Sequence, residues 1–216
     1  MNIKRDRNKS KFLVSPDQSG SKVSATNEFL WAIIGFLLTV FSTFVQAFVT
    51  NPPWNWEQQG VNSVPLGVTF QVGAVLLTGC MGGKNAGALA QLAYVFLGLF
   101  GLPIFAQGGG LDYWQEPSFG YILGFIPGAW LCGVMAFKRR AKLESLALSA
   151  LSGLGVIHLC GLVYLIGLSY LSPTTVSMNS LPHLIMNYSV SSLPGQFVII
   201  CVVAVVSFIL RQILFY

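Results

Sequence analysis

The feature that most constrains this chain is a series of long apolar runs, which leaves little sequence for anything else. A helix needs roughly 20 apolar residues to cross a bilayer. Runs of that length occupy residues of about 29–49, 65–82, 86–106, 120–137, 145–171 and 193–215. Only 9% of the 216 residues are charged, whereas soluble domains contain about a quarter. The chain cannot cover itself with a polar surface, so lipid is its expected solvent.

We therefore predict an all-α integral membrane protein, a six-transmembrane-helix bundle formed by a single membrane domain over residues 25–216. Residues 1–24 are polar and basic, which predicts a disordered N-terminal segment. All twelve Lys and Arg fall on one side of the bundle if the first helix runs outward, and the loops near 50–64, 107–119 and 172–192 contain none. By the positive-inside rule, both termini are expected in the cytoplasm.

Sequence motifs for catalysis, metals or nucleic acids are not found. The segment around Lys84, "TGCMGGKNAG", differs from a phosphate-binding loop because Thr78 stands at its first glycine position and Asn85 at its Ser/Thr position. His158 and His183 have no second ligand at metal spacing, and no basic face combines with base-stacking aromatics. We therefore expect no enzyme activity, no cofactor, no metal and no nucleic acid. A small membrane enzyme acting on lipid stays open as an alternative class.

A stripe of small residues runs along the fourth apolar run, where Gly120, Gly124 and Gly128 recur every four residues. Such stripes let helix backbones approach closely in lipid, where packing replaces the hydrophobic effect. The stripe predicts either packing within the bundle or a docking face for another membrane subunit.

The loop near 107–119 interrupts two apolar runs with three consecutive glycines, Gly108–Gly110. Glycine permits backbone conformations closed to other residues, which would let amide N–H groups approach a ligand. Tyr113 and Tyr121 can supply apolar walls with polar tips. These features predict an outer pocket for a small, largely uncharged heterocycle, and the alternative is a loop that merely turns the chain.

Three stretches of the sequence resemble one known family. LGLFGLPIFAQGGG followed by FGYILGF resembles the signature of the biotin-specific S components of energy-coupling-factor (ECF) transporters. VTFQVGAVLLTG, residues 68–79, resembles the family's second-helix segment, including Gln71, and LPGQFVII, residues 193–200, resembles the start of its sixth helix. The resemblance covers most of the chain from the second helix onward.

The resemblance implies a six-helix protein in the plasma membrane of a prokaryote that binds biotin in an outer-side cavity. Its partners would be a transmembrane coupling protein and two ATP-binding-cassette (ABC) ATPases, which agrees with the missing phosphate-binding loop. The residues expected to line the biotin site are Gln71, Gln107, Gly108, Gly109, Gly110, Tyr113, Tyr121 and Gln196. The residues expected to dock the partner are Ala32, Gly35, Gly120, Gly124 and Gly128.

This chain departs from the family pattern at two places. The family commonly has an Asp and, one helical turn later, a Lys at the start of the sixth helix, where this chain has Gln196 and Ile199. A ligand carboxylate would then be met by backbone N–H groups at a helix N-terminus or by His183, or the ligand is another small vitamin. The small-residue motif of the first helix is imperfect, because Ala32 is followed by Phe36. A solitary facilitator and a structural membrane protein without ligand are further alternatives.

Overall fold

The computed structural model describes residues 25–138, 141–172 and 176–215, most of which are helical. The α-helices are α1 (Ala25–Thr43), α2 (Trp56–Gln59), α3 (Gln71–Phe100), α4 (Phe119–Lys138), α5 (Leu143–Leu171), α6 (Leu181–Ile185) and α7 (Leu193–Phe215). The N-terminal segment 1–24, predicted to be disordered, lies outside the described residues.

A small antiparallel sheet between α1 and α3 is an addition to the expected all-α fold. Its two strands are β1 (Gln46–Thr50) and β2 (Ser63–Thr69). The prediction that a helix begins near residue 65 is wrong, since α3 begins only at Gln71. The physical reason lies in β2, where Pro65 has no amide hydrogen to donate and Gly67 has a φ of +69°, a conformation outside the helical region.

Helix α3 folds back on itself at Gly83, where φ is +82° and ψ is −174°. On either side of this turn, a Cβ on Gly87 would lie only 3.2 Å from the Cα of Gly79. Near the two ends of α3, Gln71 and Tyr94 are hydrogen-bonded at 2.9 Å. A straight helix rises about 1.5 Å per residue, so these contacts require two antiparallel arms. The arms correspond to most of the second and third predicted runs.

Within the described residues, four helical stretches are long and apolar enough to cross a membrane. They are Ala25–Thr43, Phe119–Lys138, Leu143–Leu171 and Leu181–Leu214. The structure is therefore a multi-pass helical bundle with four such stretches, against the six that the sequence predicts.

The five small residues predicted to dock a partner face the inside of the bundle. Gly35 of α1 packs directly against Thr78 of α3, and Ala32 is buried on the same face of α1. On α4, a Cβ at any position of the stripe Gly120, Gly124 and Gly128 would collide with α5. Contacts within the chain therefore cover these faces, which does not support their use for partner docking.

The two ends of the bundle differ in charge. At the first, which we call the basic end, Asn85 donates to the Glu28 carboxylate at 3.1 Å and Arg211 donates to the Ala136 carbonyl at 2.9 Å. The described basic side chains belong to this end and are Lys84, Lys138, Lys142 and Arg211. The opposite end, which we call the loop end, contains the sheet, the connection 101–118 and the segment 176–192.

Candidate ligand-binding site

Four polar side chains join in the half of the bundle nearer the loop end, and we call them the polar network. Ser189 Oγ lies 2.7 Å from Tyr121 Oη and 3.2 Å from His158 Nδ1. His158 Nε2 in turn lies 2.6 Å from Gln196 Oε1. Ser189 and Gln196 are buried, and the other two residues are partly buried. Polar groups inside an apolar bundle are costly and commonly mark functional positions, so the polar network is a candidate functional site.

A different element positions each member of the network. Tyr121 stands in the first turn of α4, where Gly161 of α5 leaves room for its ring. Ser189 belongs to the π-helical segment 186–190, a wide turn that is frequent at functional sites. Gln196 stands in the first turn of α7, whose beginning packs on β2. The sheet and the π-helical turn, neither of which the sequence predicts, therefore help to place the site.

For a neutral imidazole, the hydrogen bonds of the network all run in one direction, which the Gln196 oxygen sets. Because Oε1 of Gln196 is an acceptor, Nε2 of His158 carries a hydrogen and donates it. The Nδ1 atom of a neutral imidazole is then an acceptor, so the Ser189 hydroxyl donates to it. The Tyr121 hydroxyl donates to Ser189 Oγ. All three hydrogens are thus used within the network.

Gln71 belongs to a second polar cluster, centred on the fully buried Tyr94. The Tyr94 hydroxyl accepts from Gln71 Nε2 at 2.9 Å and donates to the Ile104 carbonyl at 3.1 Å. It also lies 3.2 Å from Thr43 Oγ1. The cluster therefore joins α1, both arms of α3 and the connection that follows α3.

The beginnings of α3 and α7 are in contact beside these two clusters. A Cβ on Gly73 would lie 2.7 Å from Cγ2 of Ile199, which is 2% exposed. Ile199 stands at the position where the family resemblance implies a lysine, and here it is an apolar packing residue without charge.

The triple-glycine turn is held together by its own amides. The Gly108 amide donates to the Phe105 carbonyl at 3.0 Å, and the Gly110 amide donates to the Gly98 carbonyl at 2.8 Å. Both glycines have φ near +110°, which favours glycine. A Cβ on Gly109 would collide with carbonyl oxygens at the end of α3. Two of the amides predicted to approach a ligand are therefore engaged within the chain, as in a loop that closes on the end of its helix.

Gln107 and Tyr113, which were also predicted to line the site, take opposite positions. The Gln107 side chain is exposed, whereas Tyr113 is buried, with its ring centroid 4.6 Å from that of Phe105 and 6.1 Å from that of Phe119. Burial raises the pKa of Tyr113, and hydrogen bonds with Ser118 and the Gln107 backbone oppose the rise. Tyr113 is therefore a neutral residue of the aromatic core at the loop end.

Two cavities lie away from the polar network. One of about 370 Å³ opens at the basic end, where Lys84, Phe137 and Lys138 are among its lining residues. The other, of about 200 Å³, is an apolar groove between α1, α3 and α7. The polar network is closed by direct hydrogen bonds, so a ligand must open or replace some of them.

The sequence predicts Tyr121 and Gln196 as site residues. The structure joins them through two further residues that the sequence prediction does not include. One is His158, which was considered only as a metal ligand. An ionisable residue inside a long apolar run is itself a signal of a functional site, and this signal points to His158. The other is Ser189, and nothing in the serine-rich segment 177–192 distinguishes it from its neighbours.

Long apolar helices around a polar network define this chain as a multi-pass helical membrane protein. A family model described as "BioY family" matches residues 18–215, and the chain belongs to this family. The resemblance inferred from the sequence is thereby confirmed.

Two relatives and one solved structure illustrate the match. The chain is 33% identical over 186 residues to an uncharacterized 21.2 kDa protein in the psbX-ycf33 intergenic region of Cyanophora paradoxa, covering 86% of this chain and 95% of the relative. It is 42% identical over 107 residues to the biotin transporter BioY of Thermotoga maritima, covering 48% and 63%. The crystal structure of an S-component for biotin from an ECF-type ABC transporter matches with a TM-score of 0.62 at 18% identity, covering 87% of this chain and 92% of the other. The structural match shows the fold. The relative from Thermotoga maritima is named as a transporter, consistent with a protein that is not an enzyme.

Proposed function

We propose that this chain serves biotin uptake, as the membrane-embedded subunit that captures biotin at the loop end and delivers it across the membrane. The observation that carries the proposal is the polar network of Tyr121, His158, Ser189 and Gln196, enclosed by the helices of a BioY-family chain. The apolar surroundings exclude water and strengthen hydrogen bonds to a bound polar ring.

The two glutamines offer complementary groups to the ureido ring of biotin, which has one carbonyl acceptor and two N–H donors. Gln196 can donate through Nε2 while its Oε1 is held by the imidazole. Gln71 can accept through Oε1 while its Nε2 is held by a tyrosine hydroxyl. Side chains fixed at one end lose little freedom on binding, which favours affinity. Tyr121 and Tyr188, whose ring centroids lie 6.0 Å apart, offer an apolar wall for the rest of the ligand.

Biotin entry requires the network to open toward the loop end. Tyr188 and Ser189 both lie in the π-helical segment 186–190, so displacement of this one segment separates Ser189 from Tyr121. We expect the segment to return over bound biotin and to close the site from water.

The membrane arrangement that fits this role has six crossings, both termini in the cytoplasm and the loop end facing outward, in the plasma membrane of a prokaryote. The charge difference between the basic end and the loop end supports this orientation. The first arm of α3, residues 71–82, is about 18 Å long, and the extended β2 before it lengthens the path. The chain has no phosphate-binding loop, so the proposed source of energy is an ECF coupling protein with its ABC ATPases.

Binding of radiolabelled biotin to the purified protein in detergent tests the proposal. Gln196→Ala removes both a ligand donor and the partner of the imidazole, so we expect biotin affinity to fall at least about tenfold, as for a buried polar group left unpaired. Gln115→Ala removes an exposed glutamine at the same end of the bundle and serves as the matched control. The affinity of the Gln115→Ala variant for biotin should equal that of the unchanged protein.

Competition by other small vitamins extends the same assay. Displacement of biotin only by biotin analogues supports the proposal, whereas stronger displacement by another vitamin would transfer the site to that ligand. Equal affinity of the two glutamine variants would remove Gln196 from the site.

A further inference from the structure

Biotin carries a carboxylate besides its ring, and the part of the loop end that the structure describes offers that carboxylate no lysine or arginine. The described basic side chains all lie at the basic end, and the sequence of the three opposite loops contains none. Among the described residues, the groups nearer the loop end that can carry positive charge are two histidines: His158 in the polar network and His183, which is exposed on α6. Of the two, only His158 belongs to the polar network, so it is the one that can balance a carboxylate bound there.

Protonation of His158 changes what the network can bind. Its Nδ1 then becomes a donor to Ser189 Oγ, 3.2 Å away, and no longer accepts. The Ser189 hydroxyl turns to donate to Tyr121 Oη, 2.7 Å away. The network then provides no acceptor for the hydrogen of the Tyr121 hydroxyl.

Protonation of His158 thus frees one hydrogen-bond donor at the other end of the network, the hydroxyl of Tyr121. The ring of Tyr121 lies beside the ring of Tyr188, which belongs to the segment 186–190 at the loop end. A carboxylate is well suited to the free hydroxyl donor, since it accepts the hydrogen and balances the charge of the imidazolium. An ester of the same ligand can accept a hydrogen bond but brings no balancing charge.

The other titratable groups near His158 are consistent with this arrangement. Tyr121 faces it from α4, with the two ring centroids 5.7 Å apart, and Tyr188 lies behind Tyr121 in the segment 186–190. Glu116 acts electrostatically on Tyr188 from the connection before α4, and Cys160 follows on α5 itself, while α7 contributes the uncharged Gln196. A negative Glu116 near the entrance disfavours a carboxylate that arrives without a compensating proton.

We propose that this chain binds the carboxylate of its ligand together with one proton, which His158 holds and Tyr121 presents. The inference rests on the biotin site proposed above. Because the complex holds more protons than the free protein, affinity for the carboxylate form rises as the pH falls.

Calorimetric titration of the full-length protein in detergent, with biotin and with its uncharged methyl ester, tests the inference. Histidine changes charge between about pH 5 and 8, whereas an aliphatic carboxylic acid stays ionised above about pH 5.5. We expect biotin to bind at least about tenfold more tightly at about pH 6 than at about pH 8. The ester should bind with nearly the same affinity at both values and without proton uptake.

Three variants assign the effect to individual residues. His158→Gln keeps a donor for Gln196 but cannot take up the proton, so biotin binding should lose its dependence on pH, and the remaining ester binding shows that the variant is folded. Tyr121→Phe keeps the imidazole but removes the presented hydroxyl, and should give the same loss. His183→Gln is the matched control and should keep the full dependence on pH.

The possible failures are distinguishable. Ester binding together with equal biotin affinities at the two pH values would overturn the inference and leave the biotin site in place. Loss of the pH effect in His183→Gln, but not in His158→Gln or Tyr121→Phe, would also overturn it. Failure of the unchanged protein to bind either compound would overturn the proposed function itself.

Discussion

At the scale of single residues, stability depends on pairing polar side chains inside an apolar bundle. The Tyr94 hydroxyl connects Thr43, Gln71 and the Ile104 carbonyl, and three separate parts of the chain meet at this one oxygen. Gln91 donates to Thr39 Oγ1 at 3.0 Å between α1 and α3. Each such hydrogen bond adds only modestly to the free energy of unfolding. Removal of one partner, however, leaves a buried polar group unpaired, which is costly.

Tyr94→Phe tests this view, because it removes the shared hydroxyl and keeps the ring. We expect a lower thermal midpoint in detergent, corresponding to a loss of about 1–3 kcal/mol for buried groups left unpaired. Tyr170→Phe is the matched control, since Tyr170 is 70% exposed, and its midpoint should not change. Similar midpoints for the two variants would contradict the importance of the Tyr94 cluster.

At the scale of elements, the hairpin within α3 determines which helices become neighbours. The break at Gly83 combines a positive φ with an extended ψ, a region that is essentially restricted to glycine. The two arms place Gln71 and Tyr94 side by side at one end and Asn85 against α1 at the other. A substitution at Gly83 that straightens this turn would therefore disturb the helix packing at both ends of the bundle.

Gly83→Ala should therefore destabilise the protein by about 1–3 kcal/mol, the usual cost of forcing a side chain into such a conformation. Gly155→Ala is the control, because Gly155 lies within α5 with open space around it. Alanine is the better helix former there, so its thermal midpoint should stay the same or rise. The comparison uses thermal unfolding in one detergent, and a destabilised Gly155→Ala with an unaffected Gly83→Ala would reverse the assignment.

The elements also show what the sequence could predict and what it could not. Apolar runs and charge placement are local properties, so helices α4, α5 and α7 lie close to their predicted bounds. The prediction that one helix ends near residue 49 is wrong, and so is the prediction that the next begins near residue 65. Both boundaries lie in strands β1 and β2, whose pairing is a long-range contact that hydropathy does not report. The polar network joins residues 121, 158, 189 and 196 across four elements, and only the folded packing reveals that Tyr121 and Gln196 share an imidazole and a serine.

In the molecule as a whole, the basic end and the loop end differ in their side chains and in their cavities. The lysines and arginines of the described chain gather at the basic end together with the cavity of about 370 Å³. The loop end holds the glycine turn, the aromatic core and the polar network. The helix faces with small residues are used to pack the bundle.

Photochemical crosslinking with a short-armed photoreactive biotin analogue, followed by peptide mass spectrometry, would locate bound biotin on the chain. For biotin capture nearer the loop end, we expect labels on residues 113–121 and 186–196, and excess biotin should remove them. Labels around Gly83, Phe137 and Lys138, removed by excess biotin in the same way, would place the ligand in the basic-end cavity and contradict biotin capture nearer the loop end.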